Sequence, residues 1–116
     1  MLAFTDHFKI YLHKDRSEVK LSIRVSSQVV DSYRLEQAAF EQLLQACDDR
    51  QGCDITSCGI DWFAQRKHQG RPTEYVRISA WFAGACRDYR ANASDVTALA
   101  EEYQRQQSNA MPWDQQ

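Results

Sequence analysis

Apolar and polar residues alternate over positions 8–13, with Phe8, Ile10 and Leu12 in one phase and Lys9, Tyr11 and His13 in the other. They alternate again over 19–26, where Val19, Leu21, Ile23 and Val25 oppose Lys20, Ser22, Arg24 and Ser26. A period of two with one apolar face predicts half-buried strands. The polar link Lys14-Asp15-Arg16-Ser17 suits a hairpin between them. Residues 28–34 either continue the second strand past a kink or form a third. The period then changes. Leu35, Ala39, Leu43 and Cys47 fall on one stripe with Phe40 and Leu44 beside it, which predicts a helix over 36–50 that Gly52 terminates. Cys53 to Ser57 reads as a loop. Two more strands are expected over 58–66 and 74–83, joined by the polar tip 67–73. Asn92 and Ser94 are good N-caps, Asp95 suits a helix start, and Val96, Leu99, Ala100 and Tyr103 follow at helical spacing, predicting a helix over 94–107.

The resulting order, β-β-(β)-α-β-β-α, predicts an α+β fold. Its simplest assembly is a two-layer sandwich: one antiparallel sheet of four or five strands with both helices on one face. Leu43 and Val96 are expected to bridge their helices to that sheet. With 116 residues the chain suits one domain, expected over 1–107, and can bury about two-thirds of its unfolded surface without a staple. Residues 108–116 read as a short tail, non-helical from Pro112 onward. The tail carries two large apolar residues, Met111 and Trp113, which either fill a groove on the domain or present a linear peptide to a partner.

Charge sharpens this picture. The formal net charge is only −2, yet it is unevenly laid out. Residues 1–35 hold six basic and four acidic side chains, and residues 62–91 hold six and two. Residues 36–61 hold one basic and six acidic, and residues 92–116 one and four. Strand segments are basic and helical segments acidic. The open face of the sheet would therefore carry Lys9, Tyr11, His13, Lys20, Arg24, Tyr75, Arg77 and Trp81. Cations interleaved with aromatics suit either an acidic protein surface or a polyanion with stackable rings. They also suit a solvated pleated surface with no partner, although an exposed Trp is the least comfortable part of that reading.

Motifs for chemistry are sparse. Cys47, Cys53 and Cys58 are spaced too widely for a usual structural zinc site, and only Cys53 and Cys58 come near the pattern. Cys47 falls on a buried stripe, where a thiol behaves as a small hydrophobe. No metal and no cofactor are expected. A Cys–His nucleophile would be assembled in space, and His7, His13 and His68 offer no sequence support for one. The glycines are too dispersed for a phosphate loop. Asp48, Asp49, Asp54 and Asp61 match no calcium-loop spacing.

No apolar stretch approaches the roughly 20 residues of a membrane-spanning helix, and the first residues lack signal-peptide character. A cytoplasmic protein with reduced thiols and no membrane partner is expected. The leading functional expectation is a small non-enzymatic binding protein that occupies a macromolecular partner. An inhibitor, adaptor or accessory factor of bacterial or phage origin would fit, anti-CRISPR-like inhibitors being one class that works this way. The alternative is a nucleic-acid-binding accessory protein using the basic, aromatic sheet face, against which the acidic overall balance counts. The element order also resembles that of small acidic dimeric bacterial secretion chaperones. Those typically begin with an extra N-terminal helix, for which residues 1–7 are too few; the resemblance implies a homodimer.

Overall fold

The structure, a computed structural model, describes residues 8–68 and 74–108. Its elements are β1 (Phe8–His13), β2 (Glu18–Arg24), β3 (Val30–Glu36), α1 (Gln37–Ala46), β4 (Cys53–Ser57), β5 (Ile60–His68), β6 (Glu74–Phe82), β7 (Ala85–Asn92) and α2 (Ala93–Ser108). The fold is α+β, and every strand pairing is antiparallel.

The strands form two sheets, β1-β2-β3 and β4-β5-β6-β7, where the periodicity led to one sheet of four or five strands. Two features accompany the division. At the end of β3 the Glu36 N–H donates to the Ser57 hydroxyl (2.9 Å), and the chain turns directly into α1. Strand β4 then pairs with β5, not with β3. Meanwhile the inner face of β3 packs across the inner face of the second sheet. Tyr33 meets Trp62 edge to face at 4.9 Å and Tyr89 at 6.2 Å.

Two elements differ from the sequence reading for one reason. The 53–57 segment is strand β4, and β7 occupies a stretch that reads as unassigned. Both are joined to their neighbours by two-residue turns with left-handed backbone. These are Cys58-Gly59 (φ 54 and 80) and Ala83-Gly84 (φ 55 and 81). Positive φ at both central residues matches the twist of a tight hairpin, and glycine supplies it without strain at the second position. Helix α1 is shorter than 36–50 mainly at its C-terminal end, where the Asp48 and Asp49 N–H groups donate to the Gln45 and Ala46 carbonyls three residues back and end the helix.

One hydrophobic core takes side chains from both sheets and both helices. Phe8, Val19, Leu21 and Leu35 come from the first sheet; Trp62, Val76 and Ile78 from the second; Phe40, Leu43, Val96 and Tyr103 from the helices. Leu43 and Val96 are buried as expected. Helix α1 packs on β4 and β5 and also on β2 and β3; α2 packs on β1, β6 and β7. Each helix thus ties one sheet to the other.

Helix α2 begins with one half of a capping box, the Asn92 N–H donating to the Asp95 carboxylate (3.1 Å). Near its other end it clamps the outer edge of β1. The Gln106 amide accepts from the Leu12 N–H (2.7 Å) and donates to the Ile10 carbonyl (3.0 Å). Gln106 is itself held by the buried Glu102 carboxylate (2.7 Å), which also binds the Arg105 guanidinium. The Arg105 hydrogen bonds hold the Glu102 carboxyl below the usual carboxylate range, against the opposing effect of burial.

Candidate functional site

The candidate residues divide between the two sheets. Lys9, Tyr11, His13, Lys20 and Arg24 lie on the outer face of β1-β2-β3, whose other phase is buried. Tyr75, Arg77 and Trp81 lie on the outer phase of β6, in the second sheet. The eight positions therefore do not make up one continuous face of a single sheet. His68 lies on β5 and its side chain is outside the described residues, as are His7, Met111 and Trp113.

On the first sheet the register builds one row across three strands: Tyr11, Lys20 and Arg34. Lys20 and Arg34 are directly opposite each other. They also form a non-hydrogen-bonded pair, the type in which side chains approach most closely. The pairing phase follows from Val25, whose N–H donates to the Val29 carbonyl (2.9 Å), so odd-numbered residues of β3 bond β2 and even-numbered ones point away. Lys9 lies one row away and Arg24 two rows on. The Lys20, Arg24 and Arg34 side chains make no hydrogen bond or ion pair among the described residues. Tyr11 is 59% exposed and meets the His13 ring edge to face at 4.6 Å. Arg16 Nη2 lies 3.0 Å from His13 Nδ1.

The second sheet carries a similar opposition, Arg77 against Arg90, but neutralises it from within. The Arg90 guanidinium sits 3.8 Å above the Tyr75 ring. Arg77 lies 3.4 Å from the Asp88 carboxylate, which also accepts from Ser79 Oγ (2.5 Å). The Ser79 hydrogen bond and Arg77 keep the Asp88 carboxyl below its ordinary range. Trp81 is 44% exposed beside Asp61 and Cys86.

Between the sheets, Tyr89 donates to Asp31 (2.6 Å), Tyr33 hydrogen-bonds Tyr89, and Arg87 reaches the same Asp31 oxygen (3.3 Å). Burial, then the Asp31 and Tyr33 hydrogen bonds, push the Tyr89 phenol far up, so it stays a neutral donor.

The four cysteines are unpaired thiols. Burial pushes Cys47 up to about 12, the neighbouring Asp48 adding to the effect. Hydrogen bonding to Asp49 raises Cys53, and partial desolvation next to Asp88 raises Cys86. A nucleophilic cysteine requires the opposite shift. Among the described residues, no group of three His, Cys, Asp or Glu side chains is placed to hold a metal ion, and no helix is long and apolar enough to cross a membrane.

Arg34 was missing from the sequence-derived surface. It stands in the polar phase of 28–34, and only the ladder register reveals its partner Lys20. Gln106, Glu102 and the Asp31–Arg87 pair had no local signal, because their partners are 56 to 96 positions away or lie within a helix face read only for apolar residues. Comparison with protein-family models, with curated proteins and with solved structures finds no significant match to this chain.

Proposed function

We propose that the chain is a non-enzymatic binding protein that occupies an acidic protein partner through the outer face of β1-β2-β3. One observation carries the reading: Lys20 and Arg34 oppose each other across the ladder and neither side chain makes an ion pair among the described residues, although Glu18 opposes Glu36 in the next row of the same face. Like charges directly opposite destabilise a sheet. A sequence that keeps such a conflict on a surface keeps it for something outside the fold. A carboxylate-rich partner would relieve the repulsion and bind for that reason. Lys9, Arg24 and Tyr11 widen the same basic, partly aromatic face. Helix α1 packs on β2 and β3 and helix α2 on β1, and Lys20, Arg24 and Arg34 stay exposed among the described residues. Inhibitor or adaptor is the role such a surface serves, and a cytosolic setting suits its free thiols.

The test is the triple variant Lys20→Ala, Arg24→Ala, Arg34→Ala. Wild type should bind poly-glutamate with an affinity that falls steeply with salt, and the variant should lose that binding with its fold intact. Single-stranded DNA or RNA bound more tightly than poly-glutamate, and lost in the same variant, would replace the acidic protein by a nucleic acid.

A further inference from the structure

The two edges of the first sheet are treated differently. Gln106 closes the β1 edge by taking the Leu12 N–H and the Ile10 carbonyl. The β3 edge is closed only at its end, where Ser57 takes the Glu36 N–H. By the alternation of the ladder, Val30, Ser32 and Arg34 direct their N–H and C=O groups outward, and no hydrogen bond to these groups occurs among the described residues. An open edge of this kind is a template for another strand.

A groove runs along this edge. It comprises two adjoining hollows of ≈ 220 and ≈ 350 Å³ that share Ser32, Tyr33 and Phe82. Ile60 lies in the first, and Val30 and Ala85 in the second, where the paired Asp31 and Arg87 also line the wall. Phe82 is 58% exposed and Val30 54%, although Phe82 stands in the apolar phase of β6. Beside the groove on the outer face stand Arg34 and, behind it, Lys20.

We infer that the β3 edge receives an extended segment of an acidic partner protein, which adds to the first sheet as a fourth strand. The segment pairs its backbone with Val30, Ser32 and Arg34. Its inward phase is apolar and covers Phe82, Ile60 and Ala85. Its outward phase is acidic and lies opposite Arg34, with Lys20 in the next strand. Charge complementarity selects this occupant over a second copy of the chain: Lys9, Lys20, Arg24 and Arg34 outnumber Glu18 and Glu36 on this face, and a second copy would set the same net-positive face beside it. The inference rests on the proposed acidic partner and adds the mode of binding.

The probe is a capped peptide of alternating Glu and Val, about eight residues long, the length of a strand. It is used beside a version N-methylated on alternate amides, which keeps every charge but cannot pair. The full chain should bind the first peptide and bind the second at least about tenfold more weakly, as loss of backbone hydrogen bonds implies. The Ser32 and Arg34 amides should become protected from hydrogen exchange in the complex. Ser32→Pro removes one outward N–H without touching the β2–β3 ladder and should weaken the first peptide by a similar factor. Because the peptide pair tests the unmodified chain, a misfolded Ser32→Pro variant would not blunt the experiment. Equal binding of both peptides, lost in the Lys20/Arg24/Arg34 triple variant, would overturn strand addition and keep the basic-face reading. No binding of either peptide would also overturn strand addition; binding of poly-glutamate would then decide separately whether the basic face stands. Self-association in sedimentation that Ser32→Pro abolishes would give the edge to a second copy and overturn the inference.

Discussion

The Lys20–Arg34 and Arg77–Arg90 pairs pose the same electrostatic problem on two sheets of one molecule. In the second sheet the solution is internal: Asp88 draws Arg77, and the Tyr75 ring takes Arg90. In the first sheet Lys20 and Arg34 make no ion pair among the described residues, the nearest acidic side chains being the Glu18–Glu36 pair one row away. Basic side chains on strands are therefore not informative in themselves. What distinguishes a solvated surface from a contact surface is whether the neighbouring side chains already satisfy the charge. By this measure Arg77 and Tyr75 are held by their own sheet, whereas Lys20, Arg24 and Arg34 are exposed and make no ion pair among the described residues, as the proposed contact surface requires.

The comparison presumes two outer faces around one interior, which the largest expected effect can break. Leu21→Ala in β2 and Ile78→Ala in β6 should each cost about 2–5 kcal/mol, as buried truncations do. Both variants should unfold in a single transition by circular dichroism and by tryptophan fluorescence. Two separated transitions would show that the sheets are independent units.

A smaller effect sharpens the contrast between the two edges of the first sheet. Gln106→Ala should cost about 1–3 kcal/mol, because it strands the Leu12 N–H and the Ile10 carbonyl. It should also raise amide exchange at Leu12. Acid should act on the same clamp through Glu102. Its carboxyl titrates lower in the folded chain than in the unfolded one. Its stabilisation is thus complete above the ordinary glutamate value of about 4.3 and is lost as the pH falls through the lower folded value. Denaturation midpoints taken across that range should fall less for Glu102→Gln than for wild type. An identical decline in both would remove Glu102 from the clamp.

The smallest effect tests the charge pairs themselves. Lys20→Gln should stabilise the chain by about 0.2–1 kcal/mol, the scale of a cross-strand pair. Asp88→Asn should do the reverse by a similar amount, since it uncovers Arg77 and leaves Ser79 with a weaker acceptor. Both changes should shrink in high salt. If Lys20→Gln were destabilising, the first sheet would hold a counter-charge of its own and the contrast would fall.

Much of this architecture was legible in local pattern. The alternations over 8–13, 19–26 and 74–83 placed Phe8, Leu21 and Ile78 inside, and helical spacing placed Leu43 and Val96. Strands β4 and β7 were not legible because their inward phases are weakly apolar. β4 buries Ile55 and Ser57, and β7 buries only Tyr89 and Ala91. Their turns also begin with Cys58 and Ala83 instead of the Asn or Asp that usually announces a tight hairpin. The division into two sheets depends on Tyr33 packing against Trp62 and Tyr89, contacts between distant segments that no short window contains. For the surface, alternation identified which side of β1 and β2 faces out. The decisive pair needed the register, which sets Arg34 against Lys20.

The Gln106 clamp has a consequence for how the chain is made. Its partners Ile10 and Leu12 leave the ribosome long before it, the contacts spanning 96 and 94 positions. At about 5–20 residues per second, β1 waits roughly 5–20 s before its outer edge can be closed. During synthesis the nascent chain therefore carries two unpaired strand edges, and among the described residues it is the β1 edge that is later sealed along its length by the chain's own sequence. Contacts this distant also slow folding, so crowding of nascent chains on a polysome is the stage at which this protein is most exposed to pairing with the wrong neighbour.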